Sequence, residues 1–422
     1  MINEGAGQIY YGWKIVGAIF FLLTFTSGLS FYNHAIYLNA LAEQPAFTVS
    51  IASTAVSIFF LTGGITGLFV AKWVESYDPR ICITAGALVS FFSLSVLAYV
   101  STTWQLFFVY GVFGAGFSAS SLIPATTLVA KWFKRRRAMA LSVASTGLSL
   151  GGVIITPLSI LMVESLGFEI ASPLLGVVYL LGVVPVAWLY LRASPESVGL
   201  RLDGEELQST PLPSEEKAPG GIEDGLFFRE AIRGKFFWAV SFSYIFLMAA
   251  QVGGIAHQYG LVREQLSEAE TAIAVAILPV FSILGRLTGG WIVDQMSIRK
   301  FAIIMMILQA SSLIILSSGY TVITLCFGLA IFGATVGNLL MLQPLLIAEA
   351  FGVKDYARIF SVTNLMSSWG TALGPAILGL VYAANSNSYQ PSYLVAAASG
   401  IIGLGLFLLG GRLFEHSKRL RS

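Results

Sequence analysis

One arginine in an apolar stretch is the first residue here whose type and place could do chemistry. Arg286 lies in AIAVAILPVFSILGRLTGGWIV, eight residues before Asp294, which is about 12 Å along a helix rising ~1.5 Å per residue. In lipid, an ionisable side chain at that depth costs on the order of a few kcal/mol, so its presence points to function. The guanidinium is a rigid fork of N–H donors whose geometry matches a carboxylate. The chemistry implied is recognition of an organic anion rather than bond-making, because no metal-ligand or nucleophile–base cluster accompanies it. The bland alternative is a packing arginine tied to backbone carbonyls.

Two histidines join it. His34 lies in SFYNHAIY and His257 in GGIAHQYG, and each could titrate near neutral pH or simply be a hydrogen-bonded helix-end residue. His416 belongs to a polar tail. Candidate substrate-binding residues are Arg286, His34, Asn33, Tyr32, His257, Ser120, Ser121 and Asn364, with Ser118, Ser145, Ser149 and Asn338 as further polar groups in apolar surroundings. Phe31, Tyr32, Tyr37, Tyr244 and Tyr259 keep an aromatic solute open. The glycines at 111, 114, 116, 147, 151 and 152 read as close helix packing. Cys82 and Cys326 read as small apolar fillers rather than a disulfide or metal site. No G-x-x-x-x-G-K-[ST] loop occurs, so ATP-driven pumping has no support.

The elements that must position these residues follow from composition. Hydrophobic residues make up 56% of the 422 and charged ones 11%, against roughly 25% charged in a soluble protein. A soluble fold could not hide that much apolar surface. A net charge of +2 gives no footprint for nucleic acid. Twelve stretches reach the roughly 20 apolar residues a membrane helix needs. They lie near 12–38, 48–74, 81–100, 104–130, 140–163 and 171–191, then 237–262, 270–293, 301–318, 320–347, 359–384 and 391–411. The polar opening MINEGAGQIYYG and the length of the first apolar run argue against a cleaved signal. Of 24 Lys and Arg, 22 fall at the termini or in even-numbered loops; only Arg263 lies opposite, and Arg286 is inside a span. Both termini are therefore expected in the cytoplasm of a bacterial-type inner membrane. Pro124, Pro157, Pro344 and Pro375 are expected to bend their spans.

The Pro-, Gly- and acid-rich stretch at 192–235 divides an N-terminal six-span unit, 1–191, from a C-terminal one, 236–422. Its end, LFFREAIRGKFF, has the spacing of a short interfacial helix. The halves echo each other. GLFVAKWVESYDPR from Gly67 parallels RLTGGWIVDQMSIR from Arg286, with Glu75 matching Asp294 and Arg80 matching Arg299, each 219 positions apart. LVAKWF (128–133) parallels LIAEAF (346–351) at an offset of 218. Internal duplication of a helical membrane unit is a transporter signature.

These motifs resemble the major facilitator superfamily. YYGWKIV, PATTLVAKWFKRRRAMALSVASTGLSLGG and LGPAILGLVYAA are similar to bacterial members of its monocarboxylate and oxalate/formate group. The loop motif departs from the superfamily pattern at Glu75, Ser76 and Asp78, where Asp, a basic residue and Gly are usual. The resemblance implies an all-α membrane protein of twelve helices in two six-helix bundles. It implies a substrate carboxylate at Arg286, and a gate on the cytosolic side braced by Glu75, Arg80, Asp294 and Arg299. Ser282 stands where animal-type members carry an Asp one turn before the arginine. Thr363, beside Asn364, aligns best with the second cation of the oxalate carrier, and one fixed charge suits one carboxylate.

The expectation is a secondary transporter, not an enzyme, that moves a small monocarboxylate-type anion by alternating access. It is expected to need no cofactor and to act as a monomer with lipid, the anion and protons as its partners. With no acid deep in a span, two coupling routes remain: a proton taken by His34 or His257, or exchange and uniport of the anion. The rivals are a carrier of a different solute (aromatic acid, drug or neutral compound), a non-transporting membrane sensor, and an integral-membrane enzyme.

Overall fold

A computed structural model describes residues 10–133, 137–201, 226–293, 295–319, 321–352 and 356–411. Among these, twelve helices are long and apolar enough to cross a membrane. Span 1 is Gly12–Ala42, span 2 Val49–Ser76, span 3 Pro79–Leu97 and span 4 Thr103–Trp132. Span 5 is Arg137–Leu166 and span 6 Phe168–Tyr190. The second half runs through span 7 Lys235–Arg263, span 8 Glu268–Val293, span 9 Ile298–Ser318, span 10 Val322–Phe351, span 11 Tyr356–Ala384 and span 12 Tyr389–Leu409. Every expected stretch is a helix, because lipid leaves the backbone no other way to satisfy its polar groups. An even count puts both ends of the described chain on one face, called here the terminal face.

Short connections start cleanly where the sequence offers caps. Thr48 Oγ1 accepts from the Ile51 N–H at 3.2 Å, and Asp78 accepts from the Arg80 N–H at 2.9 Å with Pro79 opening span 3. Both meet orphan donors of the first turn. The Arg80 guanidinium beside Asp78 also holds that carboxyl below its ordinary range. Of the connecting stretch, 202–225 lie outside the described residues. Its end forms a four-residue helix, Phe228–Ala231, and the Leu226 N–H donates to the Phe351 carbonyl at 2.8 Å.

The duplication is written into the packing. Gly114 on span 4 lies against the Phe59 carbonyl of span 2; Gly333 on span 10 lies against the Leu278 carbonyl of span 8. Both members of the second pair sit 219 positions after the first, the offset of the loop motifs. Likewise Gly147 and Gly151 of span 5 meet the backbone of span 1 at Phe20 and Thr24, and Gly370 and Gly374 of span 11 meet span 7 at Ile245 and Ala249. A side chain at any of these would push two helices apart. Each half thus has its own core, and the halves meet where span 5 packs on span 8, span 2 on span 11, and the end of span 1 on span 7.

Two spans are interrupted rather than merely bent. Span 1 passes through a π-helical turn, Gly28–Tyr32, and restarts at His34. Span 4 breaks at Ser121, whose φ and ψ of −117° and −123° are not helical, three residues before Pro124. Pro157, Pro344 and Pro375 lie inside their helices, as do Pro173, Pro185 and Pro279.

Candidate functional site

Span 1 sends its neighbouring polar residues to different sides, as a helix turning about 100° per residue requires. Tyr32 faces the second half. Its ring flanks Gly152 of span 5 beside Pro279 of span 8, and its side chain lies near Ser149, Ser282 and Arg286. Ser149 and Ser282 are 3.3 Å apart, hydroxyl to hydroxyl, across the junction of the bundles. Arg286 is 7% exposed, and one terminal N–H donates to the Ser145 carbonyl of span 5 at 3.0 Å. Among the described residues its Nε–H has no partner and it forms no ion pair.

Tyr32, Ser145, Ser149, Ser282 and Arg286 therefore form one polar cluster drawn from spans 1, 5 and 8. It holds a buried positive charge with donors unspent and, among the described residues, no acid paired with it. Ser145 and Ser149, like Ser282 and Arg286, are four residues apart and share a helix face. That spacing was the available signal for the serines.

The other expected residues are distributed elsewhere. Ser121 accepts from the Thr26 hydroxyl at 3.2 Å and lines a cavity of about 250 Å³ between spans 2, 4 and 11. Asn33 donates to Ser159 at 2.8 Å and to Tyr37 at 3.2 Å inside the first bundle. His34 is boxed there by the rings of Phe59, Phe60, Tyr110 and Phe113, and both its nitrogens lack partners among the described residues. Ser120 pairs with the Tyr179 hydroxyl at 2.9 Å in the same bundle. His257 donates from Nε2 to the Pro375 carbonyl at 3.0 Å in the second bundle. Asn364 is exposed on span 11.

Of the residues expected to brace a gate, Arg80 grips Asp78 at 2.6 Å and lies over the Trp188 ring, while Arg299 lies over the Phe407 ring. Asp294 and the Glu75 side chain lie outside the described residues. On the same face, Lys131 of span 4 donates to the Val74 carbonyl near the end of span 2 at 2.9 Å.

The face away from the termini carries contacts that the sequence did not suggest. Arg263, at the end of span 7, pairs with Glu43 just beyond span 1 at 2.6 Å and stacks on its own neighbour Tyr259. Tyr259 donates to Glu164 of span 5 at 3.3 Å. These contacts tie the two bundles together on that face. With the pair 37% and 62% exposed, it is worth only about 0.2–1 kcal/mol. Arg263→Ala is expected to raise the fraction open on that face by at most about fivefold. Spin-label distances between the far ends of spans 1 and 7 would show it as a growing long-distance component; an unchanged distribution would mean the latch carries no gating energy.

Over residues 20–262 and 242–421 the chain matches the Major Facilitator Superfamily. It belongs to that superfamily. The aspyridones efflux protein apdF of Emericella nidulans is 23% identical over 99% of this chain and 80% of its own length. The MFS transporter asaE of Aspergillus flavus is 24% identical over 87% and 76%. A probable hexose phosphate transport protein of Chlamydia muridarum is 22% identical over 58% and 56%. In fold, the chain superposes on a bacterial homologue of the human lysosomal transporter Spinster, in an inward-facing, unoccupied conformation, with a TM-score of 0.71, 16% identity and 98% of each chain covered. This is thus a multi-pass membrane transporter of the superfamily, built as two six-helix bundles.

Proposed function

We propose that this superfamily transporter carries an organic anion with one carboxylate, by alternating access across the inner membrane with its terminal face in the cytoplasm. The observation that supports the anion is Arg286: a buried guanidinium at the bundle junction with spare donors and no carboxylate partner among the described residues. An internal ion pair would have spent those donors. Hydroxyls of Tyr32, Ser149 and Ser282 beside it can share a bound carboxylate's lone pairs. Because both bundles furnish the cluster, rocking them apart would dismantle it, which is how a carrier exposes a site to one side at a time. The bias of Lys and Arg supports the orientation. The likeness to the monocarboxylate and oxalate/formate group supports the carboxylate. Relatives named for efflux of aspyridones and for hexose phosphate transport fit a carrier of organic solutes, the latter anionic.

Neither histidine touches the Arg286 cluster, since His34 is enclosed in the first bundle and His257 is tied to Pro375. That favours exchange or uniport over histidine-coupled symport. Proteoliposomes loaded with a labelled monocarboxylate test both points. Counterflow exchange without accumulation under an inward pH gradient is the expected result. Accumulation lost in a His34→Gln, His257→Gln double variant would restore histidine coupling. Absence of exchange for every carboxylate, with transport of a neutral solute instead, would overturn the anion.

A further inference from the structure

The duplication that relates the two bundles also relates their two long seams, span 5 on span 8 and span 11 on span 2. Spans 2 and 8 correspond at an offset of 219 positions. Spans 11 and 5 correspond at 223, the offset of the close contacts at Gly147 and Gly370 and at Gly151 and Gly374. By those offsets Gly63 and Gly67 of span 2 stand where span 8 carries Ser282 and Arg286, and Ser368 of span 11 stands where span 5 carries Ser145. One seam is therefore filled by a serine and an arginine, and the other has glycine at both places.

The second seam is hollow there. Nearer the face away from the termini it is tight: the Ala376 N–H donates to Ser57 Oγ at 3.0 Å, and Gly379 lies against Ser53. Within two turns of Ser57 the spans part around the cavity of about 250 Å³, whose wall includes Phe60, Gly63, Gly64, Ser118, Ile123 and Thr371. A Cβ at Gly64 would meet nothing within 4 Å, and one at Gly67 would reach the Ile123 and Ser118 side chains of that wall. Packed interiors leave few voids larger than a water molecule, and roughly 150 Å³ is enough to hold benzene. The wall is aromatic and aliphatic with a few hydroxyls, the make-up of a ligand pocket. Among the described residues no charged side chain lines it. The Ser118 hydroxyl has no hydrogen-bond partner among them either, with the residue 6% exposed.

We infer that this cavity is a second ligand site, the uncharged counterpart of the Arg286 site, and that it takes a small neutral ring compound with one hydroxyl: a phenol with a short alkyl chain. The ring and chain fill the apolar walls, and the hydroxyl meets Ser118. The site is separate from Arg286 and needs no connection with it. The arginine at one seam and the glycines at the other set the charge of what each accepts. Spans 2 and 4 belong to the first bundle and span 11 to the second, so an occupant touches both. It stabilises the arrangement in which Arg263 and Glu43 meet on the face away from the termini. A ligand that binds one arrangement draws the population toward it, so the phenol is expected to hold that face shut.

Equilibrium binding to the full chain in lipid nanodiscs tests this, with 4-propylphenol as the probe and empty nanodiscs subtracting its partition into lipid. Saturable binding is expected. Gly64→Leu fills the cavity from span 2 and Thr371→Leu from span 11, and each should weaken binding by about tenfold or more, with an unchanged thermal midpoint as the check on folding. Ser118→Ala should weaken the phenol by about two- to tenfold and leave 4-propyltoluene, which lacks the hydroxyl, within about twofold. Arg286→Ala should leave phenol binding within about twofold, and 4-propylbenzoate, of similar shape but anionic, should not displace the probe. The probe should also shrink the long-distance component between spin labels at the far ends of spans 1 and 7, in the wild type and not in the filled variants. Absence of saturable binding overturns the inference, as does saturable binding that survives both filled variants. Displacement by 4-propylbenzoate that Arg286→Ala abolishes also overturns it, because the two seams would then share one site. Spin-label distances that ignore a bound probe overturn the bridging of the bundles. None of these readings depends on which solute the carrier moves.

Discussion

Arg286→Ala is expected to cut carboxylate binding by more than a hundredfold while leaving the protein folded. Losing a desolvated, charge-assisted pair typically costs about 2–5 kcal/mol, and each 1.4 kcal/mol is a factor of about ten. Stability should hold for a reason visible in the structure. Breaking a buried ion pair normally strands the remaining charge, which is what makes such mutations destabilising. Here no carboxylate among the described residues is left behind. The guanidinium takes with it its hydrogen bond to the Ser145 carbonyl, a helix carbonyl rather than a charge. The thermal midpoint of the solubilised variant should therefore stay close to wild type while binding disappears. Arg286→Lys keeps the charge but replaces the fork with a point donor, and should recover only a small part of the affinity. An Ala variant that binds and exchanges carboxylates like wild type would remove Arg286 from the site.

What the sequence disclosed and what it withheld divide along physical lines. The spans were legible because hydrocarbon demands continuous apolar runs, and the duplication because Glu75 and Asp294 share an offset that the pairs Gly114–Phe59 and Gly333–Leu278 repeat in space. Arg286 stood out because charge in an apolar run is rare. The direction of each polar side chain was not legible. Tyr32, Asn33 and His34 are consecutive, so a helix turning about 100° per residue sends them to different sides. Which of them meets the other bundle depends on how span 1 is rotated in the packed structure: Tyr32 goes to the bundle junction, Asn33 and His34 into the first bundle. Serines are common in membrane helices, so Ser145, Ser149 and Ser282 could be distinguished from Ser120 only once span 5 was seen against span 8. The Glu43–Arg263 latch joins residues 220 positions apart at helix ends, where charge is ordinary and carries no message.

Ser282→Asp is expected to convert the carrier from one that always offers a free arginine to one that offers it only when acidified. Ser282 lies one turn before Arg286 on the same helix face, and its hydroxyl already points into the cluster, 3.3 Å from Ser149. Residues at that spacing meet, so an introduced carboxylate should take the unspent Nε–H and the adjacent donor. A substrate must then displace an internal partner, and at neutral pH its affinity should fall by about a hundredfold, comparable with losing the arginine. Protonation makes the introduced group neutral and returns the guanidinium to the substrate. Binding should therefore rise as pH falls, and each anion bound should bring one proton with it. Uptake that was indifferent to an inward pH gradient should become gradient-driven. Ser282→Asn separates charge from bulk, because it is nearly the same size and neutral. It should stay within about threefold of wild type with no new pH dependence. Counterflow and gradient-driven uptake measured from pH 5 to pH 8 would decide. If the Asp variant keeps wild-type affinity at neutral pH, its carboxylate does not reach Arg286 and the cluster is more open than its hydrogen bonds indicate. If affinity is lost but does not return on acidification, the site has been blocked by volume, and the free charge of Arg286 is not what holds the anion.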